Sequence, residues 1–301
     1  MNLPQHSIRN ACISALCAAF LFAVIYAIAK TVSTKYIVVQ VIFFRYLFAL
    51  IIPFFYAVYV DKVQSFRLEK SIVKQQVVRG TAGMISAVLL FQALSMMPVG
   101  DAVSLSFSSS LFMCILSKPM LGEKVDILRW MAILVGFLGV LIIANPTGDV
   151  FNGGTILVLL SAFVDAYVLL KGRFFSKIMP ISIVVIYYNL FAALSAFIFL
   201  PFVWKLPTFT DFCSLAIIGL LGGFAQLFLT QAFKSASGSI VAPIGYTNLI
   251  WTIIFGYIFL GDIPSFSTIL GSLIIIIAGI YIVRHASKKA KLTLEKKVKI
   301  F

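Results

Sequence analysis

Residues 93–146 read ALSMMPVGDAVSLSFSSSLFMCILSKPMLGEKVDILRWMAILVGFLGVLIIANP. Two apolar runs, 102–121 and 127–144, flank a short charged segment that contains Glu123, Lys124 and Asp126. A helix needs about 20 apolar residues to cross about 30 Å of hydrocarbon, so each run is long enough to span a bilayer. Strands of a membrane barrel alternate apolar and polar residues, and the stretch from Leu138 to Ala144 does not alternate. The pair therefore predicts a transmembrane helical hairpin.

Working outward, apolar runs bounded by charge, Pro or Gly recur at 11–29, 37–59, 80–97, 154–171, 181–203, 212–233, 240–260 and 266–283, which with the first two makes ten spans. The composition agrees: 61% of the 301 residues are hydrophobic and 11% are charged, and the mean hydropathy is +1.08. A water-soluble domain could not bury that much apolar surface, so the chain needs lipid as its solvent. Arg9 followed by an apolar run resembles a secretory signal, but no small-x-small cleavage pattern follows and Lys30 ends the run, so a retained first helix is expected.

The net charge of +14 lies between the spans rather than on one folded face, which argues against nucleic-acid binding. With the N-terminus in the cytoplasm, the cytoplasmic segments hold nineteen Lys and Arg, and the opposite segments hold only Lys30, Lys35 and Lys205. The positive-inside rule then places both termini in the cytoplasm of an inner-membrane protein. The basic tail, 285–301, reads as a topology anchor on anionic headgroups. Cys12, Cys17, Cys114 and Cys213 sit in or beside apolar runs without a CxxC pair and read as packing residues.

Shifted by 139 positions, the sequence sets Gly83 over Gly222, Gln92-Ala93 over Gln231-Ala232 and Leu121-Gly122-Glu123 over Leu260-Gly261-Asp262. Five spans fall in each half, and an odd number makes the second half enter the membrane in the opposite sense.

The hairpin at 93–146 and its counterpart at 241–281, VAPIGYTNLIWTIIFGYIFLGDIPSFSTILGSLIIIIAGIY, resemble the fourth-to-fifth and ninth-to-tenth helix hairpins of EamA-type permeases in the drug/metabolite transporter superfamily. Phe44-Arg45-Tyr46, Arg79-Gly80, Ala225-Gln226-Leu227 and Gln231-Ala232-Phe233 extend the resemblance in order along the chain. It implies an all-α integral membrane fold of ten transmembrane helices, as two inverted five-helix EamA-type repeats at 11–144 and 154–284 around a central cavity, followed by the tail 285–301. It also implies alternating access and a small organic solute, and uptake carriers of S-adenosylmethionine occur among similar permeases. Where many members carry a proline in the fourth helix, this chain has Ser108-Ser109-Ser110, so a kink there needs another cause.

Of ten acidic residues, only Asp165 lies well inside a span, where a carboxylate costs about 2.5 to 3.5 kcal/mol on insertion scales. It would attract a cationic group of the cargo or take up a coupling proton; the alternative is a structural pair with Arg45 or another buried polar group. Arg45 could meet an anionic cargo or snorkel toward an interface, and it is assigned a gating or structural role, together with Pro243 and Gly245, which loosen span 9. Tyr246 and Asn248 are further candidates for cargo contact. Gln92 and Gln231, at matching repeat positions, would either bind solute or bridge neighbouring helices. The serines of span 4 and Gly136, Gly139, Gly271 and Gly279 read as close-packing positions.

No GxxxxGK[ST] loop is present, and neither His6 nor His285 is placed for zinc or catalysis, so neither a cofactor nor a metal is expected. An intramembrane enzyme would need His, Asp or Arg clustered at one face, which the sequence lacks. The expected function is secondary transport of a small metabolite such as S-adenosylmethionine or an amino-acid-like solute. A drug or amino-acid exporter and a non-transporting scaffold are the alternatives. The expected partners are the small-molecule substrate and membrane lipids, with a coupling proton and a homodimer partner as candidates.

Overall fold

The computed structural model of the chain describes residues 5–121, 127–144, 153–235, 241 and 244–298, and every regular element among them is helical. Pro243 lies outside the described residues. The helices are α1 (Gln5–Ser33), α2 (Val38–Phe48), α3 (Ile51–Tyr59), α4 (Lys70–Leu94), α5 (Val99–Ser106), α6 (Ser109–Leu121) and α7 (Ile127–Ala144) in the first half. The second half contains α8 (Gly153–Ile178), α9 (Ile181–Phe197), α10 (Leu200–Val203), α11 (Phe209–Ser235), α12 (Thr247–Leu260) and α13 (Phe266–Val298). Arg9–Ser33, Val38–Tyr59, Lys70–Leu94, Gly153–Ile178 and Phe209–Ser235 are long and apolar enough to cross a membrane, and Trp130–Ile143, Ile181–Phe197, Thr247–Leu260 and Phe266–Tyr281 are shorter apolar helices. Large side chains such as Leu138, Leu141, Phe202, Phe209 and Ile277 remain exposed on the outside of the bundle, as lipid-facing positions do.

Three spans that read as continuous runs are broken: span 7 parts into α9 and α10 just ahead of Pro201, and spans 2 and 4 also part for local reasons. Pro53 has no amide hydrogen to give to the carbonyl of Ala49, and span 2 parts into α2 and α3 at Ala49 and Leu50. The freed Ala49 oxygen accepts a hydrogen bond from Asn189 Nδ2 at 3.3 Å, so the kink is tied to α9. Span 4 parts at Phe107 and Ser108, whose amides bond three residues back, to Ser104 at 3.3 Å and Leu105 at 3.0 Å. The hydroxyls of Ser104, Ser106 and Ser110 bond the carbonyls of Gly100, Val103 and Phe107. Such back-bonding bends helices, and it supplies a cause for the kink in a span without proline at that point.

The two halves interlock through glycines repeated at the same 139-residue spacing. A Cβ on Gly80 of α4 would meet the Cβ of Phe191 on α9 at 2.6 Å, and one on Gly219 of α11 would meet the Cβ of Phe48 on α2 at 2.4 Å. Thus α4 of the first half packs on α9 of the second, and α11 of the second packs on α2 of the first. Gly139 of α7 and Gly271 of α13 form a reciprocal contact: each Cβ would stand 2.8 and 2.6 Å from the other's carbonyl oxygen.

Candidate functional site

A cavity of about 250 Å³ lies where the halves meet. Its lining comes from α1, α2, α4, α5, α6, α8, α9, α11 and α12, together with Phe107, Val241 and Gly245. Arg45, Arg79 and Asp165 are the charged residues of the wall; Phe22, Tyr26, Phe91 and Phe107 give it aromatic surface.

The two arginines differ in how they are held. Arg79, in the N-terminal half of α4, donates from Nε to the Val168 carbonyl at 3.3 Å and from Nη1 to the Val184 carbonyl at 3.3 Å and Gln76 Oε1 at 3.4 Å. Its guanidinium carbon lies 4.5 Å from the centre of the Tyr188 ring. Arg45 faces the rings of Tyr46 and Phe91 at 4.9 and 5.5 Å. Its side chain is 7% exposed, yet its Nε has no hydrogen-bond partner among the described residues.

Asp165, in the middle of α8, is half-buried and makes no ion pair or hydrogen bond among the described residues. Arg45 and Arg79 are the charges that act on its carboxylate, from beyond ion-pair distance. The alternative reading of Asp165, a structural ion pair with Arg45, is therefore not found among the described residues. Other acidic side chains are held at helix ends or in loops. Asp101 accepts from the Thr268 hydroxyl. Asp61 accepts from Ser182 Oγ at 2.5 Å.

Asn248 lines the cavity and donates from Nδ2 to the Ala19 carbonyl at 2.6 Å, which ties α12 to α1. Gly245 also lines it, with nothing within 4 Å of an added Cβ. Tyr246 stands behind the wall: its hydroxyl donates to Ser110 Oγ at 3.4 Å and its ring meets Phe107 edge-on at 5.1 Å. Gln92 and Gln231 are outside the lining, bonded within their own helical turns to Ser95 at 3.4 Å and Ser235 at 3.0 Å. Sequence reading missed Arg79 and Gln226 as lining residues. Both stood in the quoted family motifs, Arg79-Gly80 and Ala225-Gln226-Leu227, and were not weighed as polar groups at depth.

One end of the bundle is tied shut between the halves. Lys30 Nζ at the end of α1 meets Asp262 Oδ2 at 2.7 Å, and the same oxygen accepts the Val99 amide at 3.0 Å. Lys35 Nζ meets Asp211 Oδ1 at 2.9 Å, and the Tyr36 and Thr208 hydroxyls donate to Asp211 Oδ2. The hydrogen bond to Asp211, and then its charge, hold the Lys35 ammonium above its usual pKa. Gln40 closes the set, donating to the Lys205 carbonyl at 2.6 Å and accepting its amide at 3.0 Å. None of these residues lines the cavity, which instead reaches toward Ala15 in the first half of α1, Phe233 near the end of α11, and Val241.

The profile of the EamA-like transporter family matches residues 9–145 and 152–284. The S-adenosylmethionine uptake transporter of Rickettsia bellii is 29% identical over 90% of this chain and 94% of its own. The pseudopaline exporter CntI of Pseudomonas aeruginosa is 27% identical over 92% of this chain and 97% of its own. The riboflavin transporter of Vibrio cholerae is 27% identical over 97% and 98%. One crystal structure superposes with a TM-score of 0.65 at 16% identity, covering 93% of this chain and 98% of that one, a likeness of fold.

Proposed function

The chain belongs to the EamA-like transporter family, and we propose that it is a secondary transporter of a small organic metabolite. On this reading the solute is S-adenosylmethionine or another amino-acid-derived compound, and it crosses the bacterial inner membrane by alternating access. The observation that carries the reading is a charged, aromatic-walled cavity at the seam of the two halves, with one end of the bundle tied shut by Lys30–Asp262 and Lys35–Asp211. The relatives are named for moving small organic solutes, and an S-adenosylmethionine carrier and an exporter are both among them.

The distribution of Lys and Arg supports cytoplasmic termini, and in that orientation the cavity of this state faces inward and the tied end faces outward. The repeats 11–144 and 154–284 then rock about the Tyr46 and Tyr188 contact. Export is the second reading, because a cavity reaching the cytoplasmic end is also placed to load from that side.

The test is counterflow. Proteoliposomes containing the chain and preloaded with one solute are diluted into the same solute, radiolabelled, from a panel of amino acids, S-adenosylmethionine and riboflavin. A labelled overshoot with at least one solute is expected; no exchange of any of them would sink the transport reading.

A further inference from the structure

The wall of the cavity contains one guanidinium with an unmade hydrogen bond, that of Arg45, and one carboxylate without an ion pair among the described residues, that of Asp165. Burying Arg45 with an unmade Nε–H bond costs free energy that a bound acceptor would offset. Arg79 differs, because its Nε and Nη1 already donate to the carbonyls of Val168 and Val184 and to the Gln76 amide. Asp165 carries the opposite charge in the same cavity without an ion pair among the described residues.

Charge balance decides what the pair can accept. A purely cationic solute could pair with Asp165 but would meet two arginines. A purely anionic solute could pair with Arg45 but would leave Asp165 without a partner. A solute bearing both charges satisfies both groups and leaves the net charge of the cavity unchanged.

Building on the transport reading, we infer that the cavity selects cargo by an α-amino-acid head group, with Arg45 holding the carboxylate and Asp165 the ammonium. A guanidinium grips a carboxylate through paired N–H donors, and a carboxylate accepts from an ammonium; both are charge-assisted bonds in a water-poor site. The rest of the solute lies along Phe22, Tyr26, Phe91 and Phe107. Ring faces there would also stabilise a second positive centre, such as a sulfonium, without a further carboxylate. At about 250 Å³ the cavity is smaller than the ~300–1,000 Å³ usual for drug-sized ligands. It suits a solute the size of a single amino acid, and a nucleoside-bearing one requires it to widen.

The test uses L-methionine and its two half-molecules, 3-(methylthio)propylamine without the carboxylate and 4-(methylthio)butanoic acid without the ammonium. Binding to the purified full chain is read by calorimetry and thermal shift. Both half-molecules are expected to bind at least tenfold more weakly than methionine. Arg45→Gln should erase the preference for methionine over the amine, and Asp165→Asn the preference over the acid. A half-molecule that binds as tightly as methionine overturns the inference, as does failure of methionine and every other amino acid to bind. The comparison of ligands on the unmutated chain stands even if a variant fails to fold. Methionine binding without counterflow would overturn transport and leave the head-group assignment intact. Counterflow of riboflavin alone, with amino acids excluded, would do the reverse.

Discussion

The hydroxyls of Tyr46 and Tyr188 meet at 3.1 Å, with their rings crossed at 87°. One comes from the second span of the first half and the other from the matching span of the second. Each ring supports an arginine of the cavity wall: Arg45 lies over Tyr46 and Arg79 over Tyr188. The contact therefore joins the seam of the repeats to the charges of the cavity wall.

Tyr188→Phe removes one buried hydroxyl but keeps the ring beneath Arg79, and Tyr46 retains its bond to the Gly83 carbonyl at 3.1 Å. A loss of about 1 kcal/mol is expected, seen as a small fall in Tm of the detergent-purified chain. Tyr188→Ala also removes the ring and should lower Tm several times further.

The arginines should separate stability from binding. Arg79→Ala removes the guanidinium's bonds to the Val168 and Val184 carbonyls and to Gln76, at about 1.5–3 kcal/mol for a hydrogen bond to a charged group, and should lower Tm strongly. Arg45→Gln removes no hydrogen bond from Nε but takes the guanidinium off the Tyr46 and Phe91 rings, so Tm should fall less than in Arg79→Ala, while the solute affinity falls at least tenfold. Equal losses of Tm in the two variants would contradict this division.

Much of this was legible in the sequence. The run lengths and the absence of alternation set the helices and their pairing, and the rarity of acid inside spans singled out Asp165. Breaks within spans were harder to read, because hydropathy does not register a lost backbone bond. Pro53 was visible, but its consequence depended on Asn189 lying across from Ala49. Gln92 and Gln231 matched in the repeat yet bond locally, since an amide near a helix end reaches a serine in its own turn before it reaches a cavity. Arg79 looked like a cytoplasmic boundary charge because α4 begins at Lys70, nine residues before it, and carries Arg79 deep into the bundle.

Close packing gives a prediction with an internal control. Gly139→Val would drive a side chain into Gly271 of the facing helix and should destabilise the bundle by about 1–3 kcal/mol, read as Tm. Gly245→Ala meets nothing within 4 Å and should leave Tm unchanged within about 0.5 kcal/mol.

Asp262 receives both Lys30 and the Val99 amide, so Asp262→Ala should loosen the tied end. A cysteine placed at Ser106, on the cavity wall, should then react several-fold faster with a membrane-impermeant thiol reagent added from outside. An unchanged rate would mean that this ion pair does not hold that end closed.

Counterflow through a chain fastened at the tied end tests alternating access most directly. Lys30→Cys and Asp262→Cys are combined with Ser at Cys12, Cys17, Cys114 and Cys213, and the two new thiols are joined by a short cleavable bis-thiol reagent. Exchange should stop on cross-linking, return on cleavage, and persist when either new cysteine is present alone. Exchange that continues through a fully cross-linked chain would show that this end need not open and would contradict the account.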